Sequence, residues 1–433
     1  MSDELRICVI GAGRIGLPIS VSLAVKGIKV VSLELDSRRC KEINNSKAPF
    51  FEEGMDEALS EAVDNGMLFA TDDYSIIAGC NVIISAIGTE ISEDGVPDVS
   101  SVDSMVAAIS PPLRPGDLFL LKTTLPIGST SQIGIKLSKA SNLELDEELF
   151  VAFSPERIVE GRAMEELRTL PKIVGGVGAK SSIRACQIME IFGGRVIEVS
   201  DSSTAELCKL IDNSYRMTRF GFSADVAAVS WRNGIDAYEA INAANQDYPR
   251  NDVPLPSVGV SGYCLTKDPY YLSAASPEVW SSRGFESTWI TARKAGDWQV
   301  QEAKDRVLDF FENDPKGKKA IIAGATYKEE VDDIRMSHGI ELARMLGDSG
   351  MDVEFWDPIF SGTEIGGISV HCDSGCIRGA DIVIFTVPHS EFVKWASKPH
   401  GLELMNRQVI FDGWGIIGDD FPETCKVMGT GKP

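Results

Sequence analysis

A short apolar run followed by a glycine-rich turn constrains the fold of this chain more than any other feature. The run LRICVI at residues 5–10 is rich in β-branched side chains, and Gly11-x-Gly13-x-x-Gly16 follows it directly. In such a turn the first glycine permits a tight bend, the second lets a pyrophosphate approach the backbone, and the third lets a helix pack closely. The segment therefore predicts a strand, a turn, and a helix whose N-terminus faces phosphates.

The acid that ends the next apolar run indicates which dinucleotide this turn would hold. Glu34 lies in the run KVVSLEL at residues 29–35, about twenty residues after the glycines, where such an acid is expected. A carboxylate there accepts hydrogen bonds from ribose hydroxyls and repels a 2′-phosphate. Asp36 is close enough to share this role. We therefore expect NAD as the cofactor.

Alternating strand-like and helical patterns extend this start into a doubly wound α/β domain with a parallel sheet. Further apolar runs lie at 81–88, 117–124, 148–154 and 172–176. From about 203 to 245 the pattern is helical, and a long helix there would bridge two domains.

The remainder of the chain repeats the α/β pattern after a loop. The stretch 248–264 is rich in Pro and Gly and is predicted to be loop. A new series of strand-like runs begins at 318 and continues at 353–358, 381–388 and 408–415. The expected fold class is α/β, with two Rossmann-like doubly wound domains joined by a helical central domain. The expected domain limits are residues 1–200, 201–305 and 306–433.

Net charge and cysteine content indicate which binding partners and which cellular compartment to expect. With 64 acidic and 42 basic residues, the net charge of −22 repels nucleic acid and anionic membranes, so neither is expected as a partner. No signal peptide or membrane span is apparent, and nine scattered cysteines favour a reducing cytoplasm. Cys372 and Cys376 beside His371 hint at a metal cluster, but there is no second ligand pair, so no metal is expected.

Cys264 is the candidate nucleophile. It lies in VSGYCLTKDPYYL, with Lys267 and Asp268 nearby, and is expected on a Gly-rich loop. Polar and charged neighbours can activate a thiol and leave it open to substrate. Beside a nicotinamide, such a thiol could trap an aldehyde as a thiohemiacetal and then hold a thioester.

Two further pairs have the spacing of one helical turn. Glu156 and Glu160 lie in SPERIVEG, and Lys209 and Asn213 lie in KLIDN on one helix face. An ammonium and an amide that point the same way could stabilise an oxyanion. Pairs of this kind are more often solvated salt-bridge partners, so spacing alone does not settle their role.

These motifs occur in the order found in one family. VIGAGRIGLP, APFFEEGMDEAL, SAIGTE, LKTTLPIGST, FSPERIVEG, KLIDNSYR, GVSGYCLTKDPYYL and GATYKEEVDDIRMS cover nearly the whole chain. Together they resemble the UDP-glucose/GDP-mannose dehydrogenases, which oxidise nucleotide sugars at C6 with NAD. The resemblance implies an N-terminal NAD domain, a helical dimer-forming middle and a C-terminal nucleotide-binding domain.

The resemblance also assigns catalytic roles. Cys264 matches the family's nucleophile, and Asp268 and Thr124 match groups that position the hydrolytic water. Lys209 and Asn213 match the oxyanion pair.

Binding roles follow in the same way. Glu156 and Glu160 match acids near the reacting carbon, and Lys328 matches a lysine near the diphosphate or sugar. Arg250 matches an arginine that contacts the substrate of the neighbouring subunit in a homodimer. The expected cofactor contacts are Gly11, Gly13, Arg14, Ile15, Gly16, Glu34, Asp36, Arg39, Thr89, Thr124, Glu160, Lys267 and Arg335. The expected substrate contacts are Glu156, Arg157, Ile158, Glu160, Lys209, Asn213, Arg250, Gly259, Gly262, Tyr263, Tyr327 and Lys328.

Departures from the family pattern leave the sugar open. Glu90 stands where Pro is usual, Ala224-Asp225 replaces Asn-Glu, Ser261 replaces Gly, and Trp414 replaces Arg, which puts one substrate contact in question. The segments around the cysteine favour UDP-N-acetylglucosamine or UDP-N-acetylmannosamine, with UDP-glucose and then GDP-mannose as alternatives. A two-electron hydroxyacid-type dehydrogenase and a non-catalytic NAD-binding protein are the rival classes.

Overall fold

The computed structural model describes residues 5–92, 94–110, 112–418 and 421–432. Contacts divide the chain into two compact units. The first runs to Asp212 and includes Tyr270–Pro277, and the second comprises Asn213–Pro269 and the chain from Glu278 onwards.

The first unit is built on an eight-stranded sheet with the order β10-β9-β8-β7-β4-β1-β2-β3. Its strands, with the separate hairpin β5 and β6, are β1 (Arg6–Ile10), β2 (Lys29–Leu33), β3 (Leu68–Thr71), β4 (Val82–Ser85), β5 (Glu90–Ile91), β6 (Pro97–Asp98), β7 (Leu118–Leu121), β8 (Phe150–Phe153), β9 (Lys172–Gly176) and β10 (Val196–Glu198). Its helices before residue 200 are α1 (Gly16–Ala24), α2 (Ser37–Asn44), α3 (Met55–Asp64), α4 (Ser100–Ile109), α5 (Ser129–Ser141), α6 (Ala163–Thr169) and α7 (Ala179–Phe192), with a 3-10 turn at Tyr74–Gly79.

Helices then dominate the chain up to residue 310. They are α8 (Ser202–Arg232), α9 (Ala237–Asn245), α10 (Tyr263–Ala274), α11 (Pro277–Arg283) and α12 (Thr288–Phe310). The expected helical stretch from 203 to 245 is therefore two helices. The break follows Arg232, where Gly234 adopts a φ of +67° and Asp236 caps α9 through the backbone N–H groups of Tyr238 and Glu239.

The second unit contains a seven-stranded sheet with the order β13-β14-β12-β11-β15-β16-β17. Its strands are β11 (Lys319–Ala323), β12 (Asp352–Trp356), β13 (Glu364–Ile365), β14 (Ile368–His371), β15 (Ile382–Phe385), β16 (Val409–Asp412) and β17 (Lys426–Gly429). Its remaining helices are α13 (His338–Asp348) and α14 (Ser390–Ser397), with 3-10 turns at Ser374–Ile377 and Leu402–Leu404.

Both sheets are doubly wound, so the expected α/β class with two Rossmann-like domains and a central helical region is confirmed. Within the described strands of these two sheets, neighbours pair in parallel except β8 with β9 and β13 with β14. Ile7 and Val9 of β1 pack into one apolar cluster, and Cys8 and Ile10 pack into another on the opposite face. Burial on both faces explains why these strands read as continuous apolar runs rather than alternating ones.

The strand order places the ligand-binding edge of each sheet. The order reverses between β1 and β4 in the first sheet and between β11 and β15 in the second. In open α/β sheets, ligands bind beyond the carboxyl ends of the strands at this reversal. The turn after β1 lies at that point. None of the described helices has both the length and the apolar character that crossing a bilayer requires.

Candidate active site

The turn after β1 has the geometry of a pyrophosphate cradle. Gly11 adopts a φ of +94° and donates its N–H to the Leu33 carbonyl oxygen over 2.8 Å. A Cβ atom on Gly16 would collide with the Gly11 carbonyl, whereas one on Gly13 would meet no protein atom within 4 Å. Gly11 and Gly16 therefore maintain the turn, and Gly13 leaves open space in front of α1, which a dinucleotide fits.

Glu34 is fixed at the end of β2. Its carboxylate accepts the Ala12 N–H at 2.9 Å and the Asp36 N–H at 3.0 Å, and Arg39 lies 3.8 Å away. Asp36 instead caps α2, and its ion pair with Arg38 lowers the pKa of that carboxyl to about 2. Glu34 is therefore better placed than Asp36 to meet a ribose beside the glycine turn.

Other expected cofactor residues surround the same edge of the first sheet. Arg14 lies 3.7 Å from Glu160 and stacks over the Phe50 ring at 5.0 Å. The Thr89 hydroxyl donates to the Thr124 carbonyl oxygen at 3.0 Å, which joins the segments after β4 and β7. Ile15 lies at the N-cap of α1.

Glu156 is buried among cations, and one of these, Lys122, was not among the expected site residues. Lys122 Nζ lies 3.1 Å from Glu156 Oε2, while Oε1 accepts the N–H groups of Arg157 and Ile158 at 2.8 and 3.1 Å. Burial acts to raise the pKa of Glu156, but Lys122 and these N–H groups outweigh it and the net shift is downward. The lysine in LKTTLP could have indicated this buried ion pair, but a lysine at the end of a strand is usually predicted to be exposed.

Lys209 joins the same cluster from α8. Its ammonium donates to the Glu156 carbonyl oxygen at 2.6 Å and is itself buried. Arg157 donates to the Pro171 carbonyl oxygen at 2.6 Å and lies 3.7 Å from Asp212. In a chain of charge −22, this is a local concentration of positive charge.

In the second unit, Cys264 lies on a helix and not on the expected loop. The Gly-rich segment ends at Gly262, and α10 begins at Tyr263, so Cys264 occupies its first turn. Pro269 in the interior of α10 concealed the helix in the sequence. Cys264 is exposed, and Lys267 and Asp268 follow it at the three- and four-residue spacing that places side chains on one helix face.

Asp268 is the centre of a buried polar network. It accepts the Lys267 ammonium at 2.7 Å and the Asn213 amide at 2.5 Å. Arg216 in turn donates to Asn213 Oδ1 at 2.5 Å. Asp268 is fully buried, and Asn213 and Lys267 are nearly so. The structure thus joins Asn213 of α8 to Asp268 and Lys267, and these two lie about one helical turn after the exposed thiol.

The loop before α10 requires its glycines. Gly259 and Gly262 have φ values of +76° and +94°, and a Cβ on either would press into the ring of His338 or Tyr327, respectively. Tyr263 lies under two cations, with Lys267 Nζ 5.4 Å and the Arg335 guanidinium 5.5 Å from its ring centre. Arg335 also pairs with Asp333 at 2.6 Å.

The turn after β11 resembles the glycine turn of the first sheet but has Thr326 in place of the second glycine. Gly324 donates to the Trp356 carbonyl oxygen at 2.9 Å, as Gly11 does to Leu33. Asp357, which follows β12, accepts the N–H groups of Ala325 and Thr326 at 2.7 and 3.0 Å and is fully buried. Since Thr326 stands where Gly13 stands in the first turn, this edge does not offer a second dinucleotide site of the same kind.

The remaining expected residues lie on the second unit. Lys328 Nζ is 3.7 Å from Glu329. Arg250 is exposed, stacks on the Tyr248 ring at 4.6 Å and donates to its hydroxyl at 2.8 Å. Trp414, which replaces the family's arginine, donates its ring N–H to the Thr386 carbonyl oxygen at 2.7 Å and so joins the ends of β15 and β16. Across the described ranges, no three His, Cys, Asp or Glu side chains form a group that could hold a metal ion.

A doubly wound sheet with an open glycine turn and a fixed acid after its second strand defines an NAD-binding domain. Three family models match in order: an NAD binding domain over residues 5–193, a central domain over 203–290 and a UDP binding domain over 321–419. The chain belongs to the UDP-glucose/GDP-mannose dehydrogenase family.

Curated relatives extend along nearly the whole chain. A UDP-N-acetyl-D-mannosamine dehydrogenase of Pyrococcus horikoshii is 31% identical over 418 residues, which cover 95% of this chain and 96% of the relative. An NDP-N-acetyl-D-galactosaminuronic acid dehydrogenase of Ralstonia solanacearum is 30% identical, with 90% and 92% covered. The solved structure of a UDP-D-ManNAc dehydrogenase from Pyrococcus horikoshii superposes with a TM-score of 0.89 at 29% identity, with 99% of each chain covered.

Proposed function

We propose that this protein oxidises a UDP-N-acetylhexosamine, foremost UDP-N-acetylmannosamine, at C6 to the uronate through a thioester on Cys264. The observation that carries the proposal is the exposed thiol on the first turn of α10, one turn from the buried network of Asp268, Lys267 and Asn213. A nucleophile that acts on a bound aldehyde needs both exposure and fixed polar neighbours.

The other cysteines fit this role less well. Cys8 and Cys80 are buried, which keeps their thiols away from a substrate. Burial raises the pKa of five thiols, which disfavours their reactive thiolate form; these are Cys40, Cys186, Cys208, Cys376 and Cys425. Cys372 is exposed, but it lies in the turn after β14, outside the matched cysteine motif. Cys264 is therefore the best supported nucleophile.

The chemistry proposed for the chain's own residues is acyl transfer. Two NAD molecules, bound in turn, would accept one hydride each, so that one alcohol, two NAD⁺ and one water give one carboxylate, two NADH and three protons. The Cys264 sulfur adds to the aldehyde carbon while the carbonyl oxygen takes up a proton, which gives a thiohemiacetal. Oxidation of that adduct leaves a thioester. Water then adds to its carbonyl carbon, the C–S bond breaks, and the thiol regains its proton.

Asn213 and Lys209 are the proposed oxyanion pair. They are four residues apart on α8, and a buried amide and a buried ammonium stabilise negative charge better than exposed ones do. Asp268, fixed by Lys267 and Asn213, is the proposed group that positions the hydrolytic water. Thr124 is proposed to assist it.

The choice of sugar rests on the relatives. UDP-N-acetyl-D-mannosamine dehydrogenases from several organisms match at about 30% identity over nearly their full length, which favours an N-acetylated hexosamine over glucose. UDP-N-acetylglucosamine is the next candidate and UDP-glucose the alternative.

A homodimer is the proposed assembly. On α8, three large side chains spaced by seven residues are mostly exposed: Tyr215 at 63%, Phe222 at 56% and Val229 at 63%. An apolar stripe of this period on a long helix is typical of a helix-to-helix interface. Arg250, exposed in the loop after α9, is the proposed contribution to the neighbouring active site.

Cys264→Ser tests the proposed nucleophile. Turnover should fall by several orders of magnitude because a hydroxyl is a poor nucleophile at neutral pH, while binding of NAD and of the sugar nucleotide should persist. Cys372→Ser, which alters the other exposed thiol, is the matched control and should retain wild-type rates. The measurements are steady-state NADH formation and calorimetric binding. Near-wild-type turnover in Cys264→Ser would refute the thioester route.

A further inference from the structure

The buried carboxylate of Glu156 has several positive neighbours, and the proposed reaction gives no role to two of them, Lys122 and Lys172. Lys122 follows β7, Lys172 lies in β9 and Lys209 lies in α8, and all three are at most 9% exposed. Arg157, next in the chain, is paired with Asp212. Of these four cations, Lys122 is the one whose ammonium lies against the Glu156 carboxylate, 3.1 Å from Oε2.

The two oxygens of that carboxylate are held differently, because Oε1 is hydrogen-bonded whereas Oε2 lies in an ion pair without a hydrogen bond. Oε1 accepts two backbone N–H groups, from Arg157 and Ile158, and Oε2 lies 3.1 Å from the Lys122 ammonium. Lys122 is held in turn by the Ser154 carbonyl oxygen at 3.3 Å. Lys209 binds the backbone oxygen of Glu156, so the residue is fixed at both its main chain and its side chain.

This arrangement differs from that of a general base. A general base must be able to take a proton and release it near the working pH. Burial alone would make Glu156 easier to protonate, but Lys122 and the two N–H groups stabilise the charged form and lower its pKa overall. For Lys172, burial outweighs the attraction of Glu156 and lowers the pKa of its ammonium to about 8, so burial prevails there and not at Glu156.

We propose that Lys122 is a positioning residue that keeps Glu156 ionised and in one orientation throughout the reaction. Glu156 then acts as a fixed negative charge near the substrate and not as the group that accepts a proton from the sugar or from water. The inference rests on the proposed function, since it assigns Glu156 a part in that reaction.

The first test is the pH dependence of turnover in Lys122 variants. Without the ammonium, burial raises the pKa of Glu156, so the charged form is lost at a higher pH as the solution is acidified. In Lys122→Met the acid limb of the kcat profile should therefore move up by roughly one to three pH units. Lys122→Arg keeps the charge and should keep the limb near its wild-type position.

Lys136→Met is the matched control. Lys136 lies in the same unit and also pairs with a carboxylate, Asp103, at 2.6 Å, but it is 55% exposed. Its profile should coincide with that of the wild type. A Lys122→Met profile that also coincides with the wild type would overturn the inference.

The second test needs no turnover. Infrared difference spectra between wild type and Glu156→Gln isolate the Glu156 carboxyl, which should remain a carboxylate across the neutral and mildly acidic range. A protonated-acid band should appear near neutral pH in Lys122→Met and vanish in the Lys122→Met/Glu156→Gln double variant. A protonated Glu156 band in the wild type near neutral pH would overturn the inference even if Lys122→Met does not fold.

The two claims can fail separately. A wild-type protein that yields no NADH with any nucleotide sugar would refute the proposed function, while the infrared spectra would still decide whether Lys122 keeps Glu156 ionised. Wild-type turnover with a protonated Glu156 would leave the proposed function standing and remove the role of Lys122.

Discussion

Glu34→Gln should weaken discrimination against NADP. The substitution preserves the shape of the side chain and an acceptor for the Ala12 N–H, which Glu34 now binds at 2.9 Å, but it removes the charge. Arg39, 3.8 Å from that carboxylate, would lose an ion-pair partner and become available to a 2′-phosphate.

The size of the effect follows from Coulomb's law. Two unit charges 4 Å apart interact by about 4 kcal/mol at an effective dielectric constant of about 20. Glu34 is only 12% exposed, but a bound ribose would still lie beside solvent, so we take about 2 to 3 kcal/mol. At 1.4 kcal/mol per factor of ten, the ratio of kcat/KM for NADP to that for NAD should rise by a factor of about 30 to 140.

The assay is the initial rate of reduced cofactor formation at saturating sugar nucleotide, with NAD and NADP titrated separately. Asp36→Asn is the matched control, because Asp36 is also an acid of this segment but caps α2 and pairs with Arg38. Its ratio should match the wild type. An unchanged ratio in Glu34→Gln, or an equal rise in Asp36→Asn, would mean that Glu34 does not face the ribose.

Two further predictions concern the glycine turn and the assembly. Gly13→Ala should keep the wild-type melting temperature, because its Cβ meets no protein atom, but should weaken NAD binding in calorimetry, because that Cβ enters the space for the pyrophosphate. Gly16→Ala should lower the melting temperature, because its Cβ would collide with the Gly11 carbonyl. Normal NAD affinity in Gly13→Ala would contradict the cradle. Phe222→Glu should convert the dimer into a monomer, as measured by light scattering. Ile183→Glu, at an equally exposed site on α7, should leave the dimer intact. A wild-type protein that is itself monomeric would refute the interface.

The local parts of the fold could be predicted from the sequence because their causes are local. The strand, glycine turn and acid of β1 to β2 are set by residues within one short stretch. The buried runs of β4, β7, β8 and β11 also stood out, because both of their faces are apolar.

Edge strands and helix limits were harder to predict. β3 has only four residues, and Phe69 within it is 53% exposed, so its pattern is weak. The Gly-rich segment before Cys264 indicated that the thiol lies in a loop, whereas α10 begins one residue before it. Proline at an interior helix position was the misleading signal.

The sequence did not indicate which charged residues pair over long range. Lys122 and Glu156 are buried partners from the ends of neighbouring strands, and only the pairing of β7 with β8 brings them together. Glu206 of α8 similarly accepts the N–H groups of Gly128 and Thr130 at the start of α5, more than seventy residues away. Such contacts depend on strand order and helix docking, which residue patterns do not encode directly.

The stoichiometry of NADH formation distinguishes oxidation through the Cys264 thioester from a single oxidation to the aldehyde. Purified protein would be given a limiting amount of UDP-N-acetylmannosamine with excess NAD, and NADH would be measured by absorbance while products are identified by mass spectrometry. We expect two NADH for each sugar consumed, with the uronate as product and no free aldehyde. One NADH per sugar with accumulated aldehyde would contradict the thioester route and place the protein among the two-electron dehydrogenases.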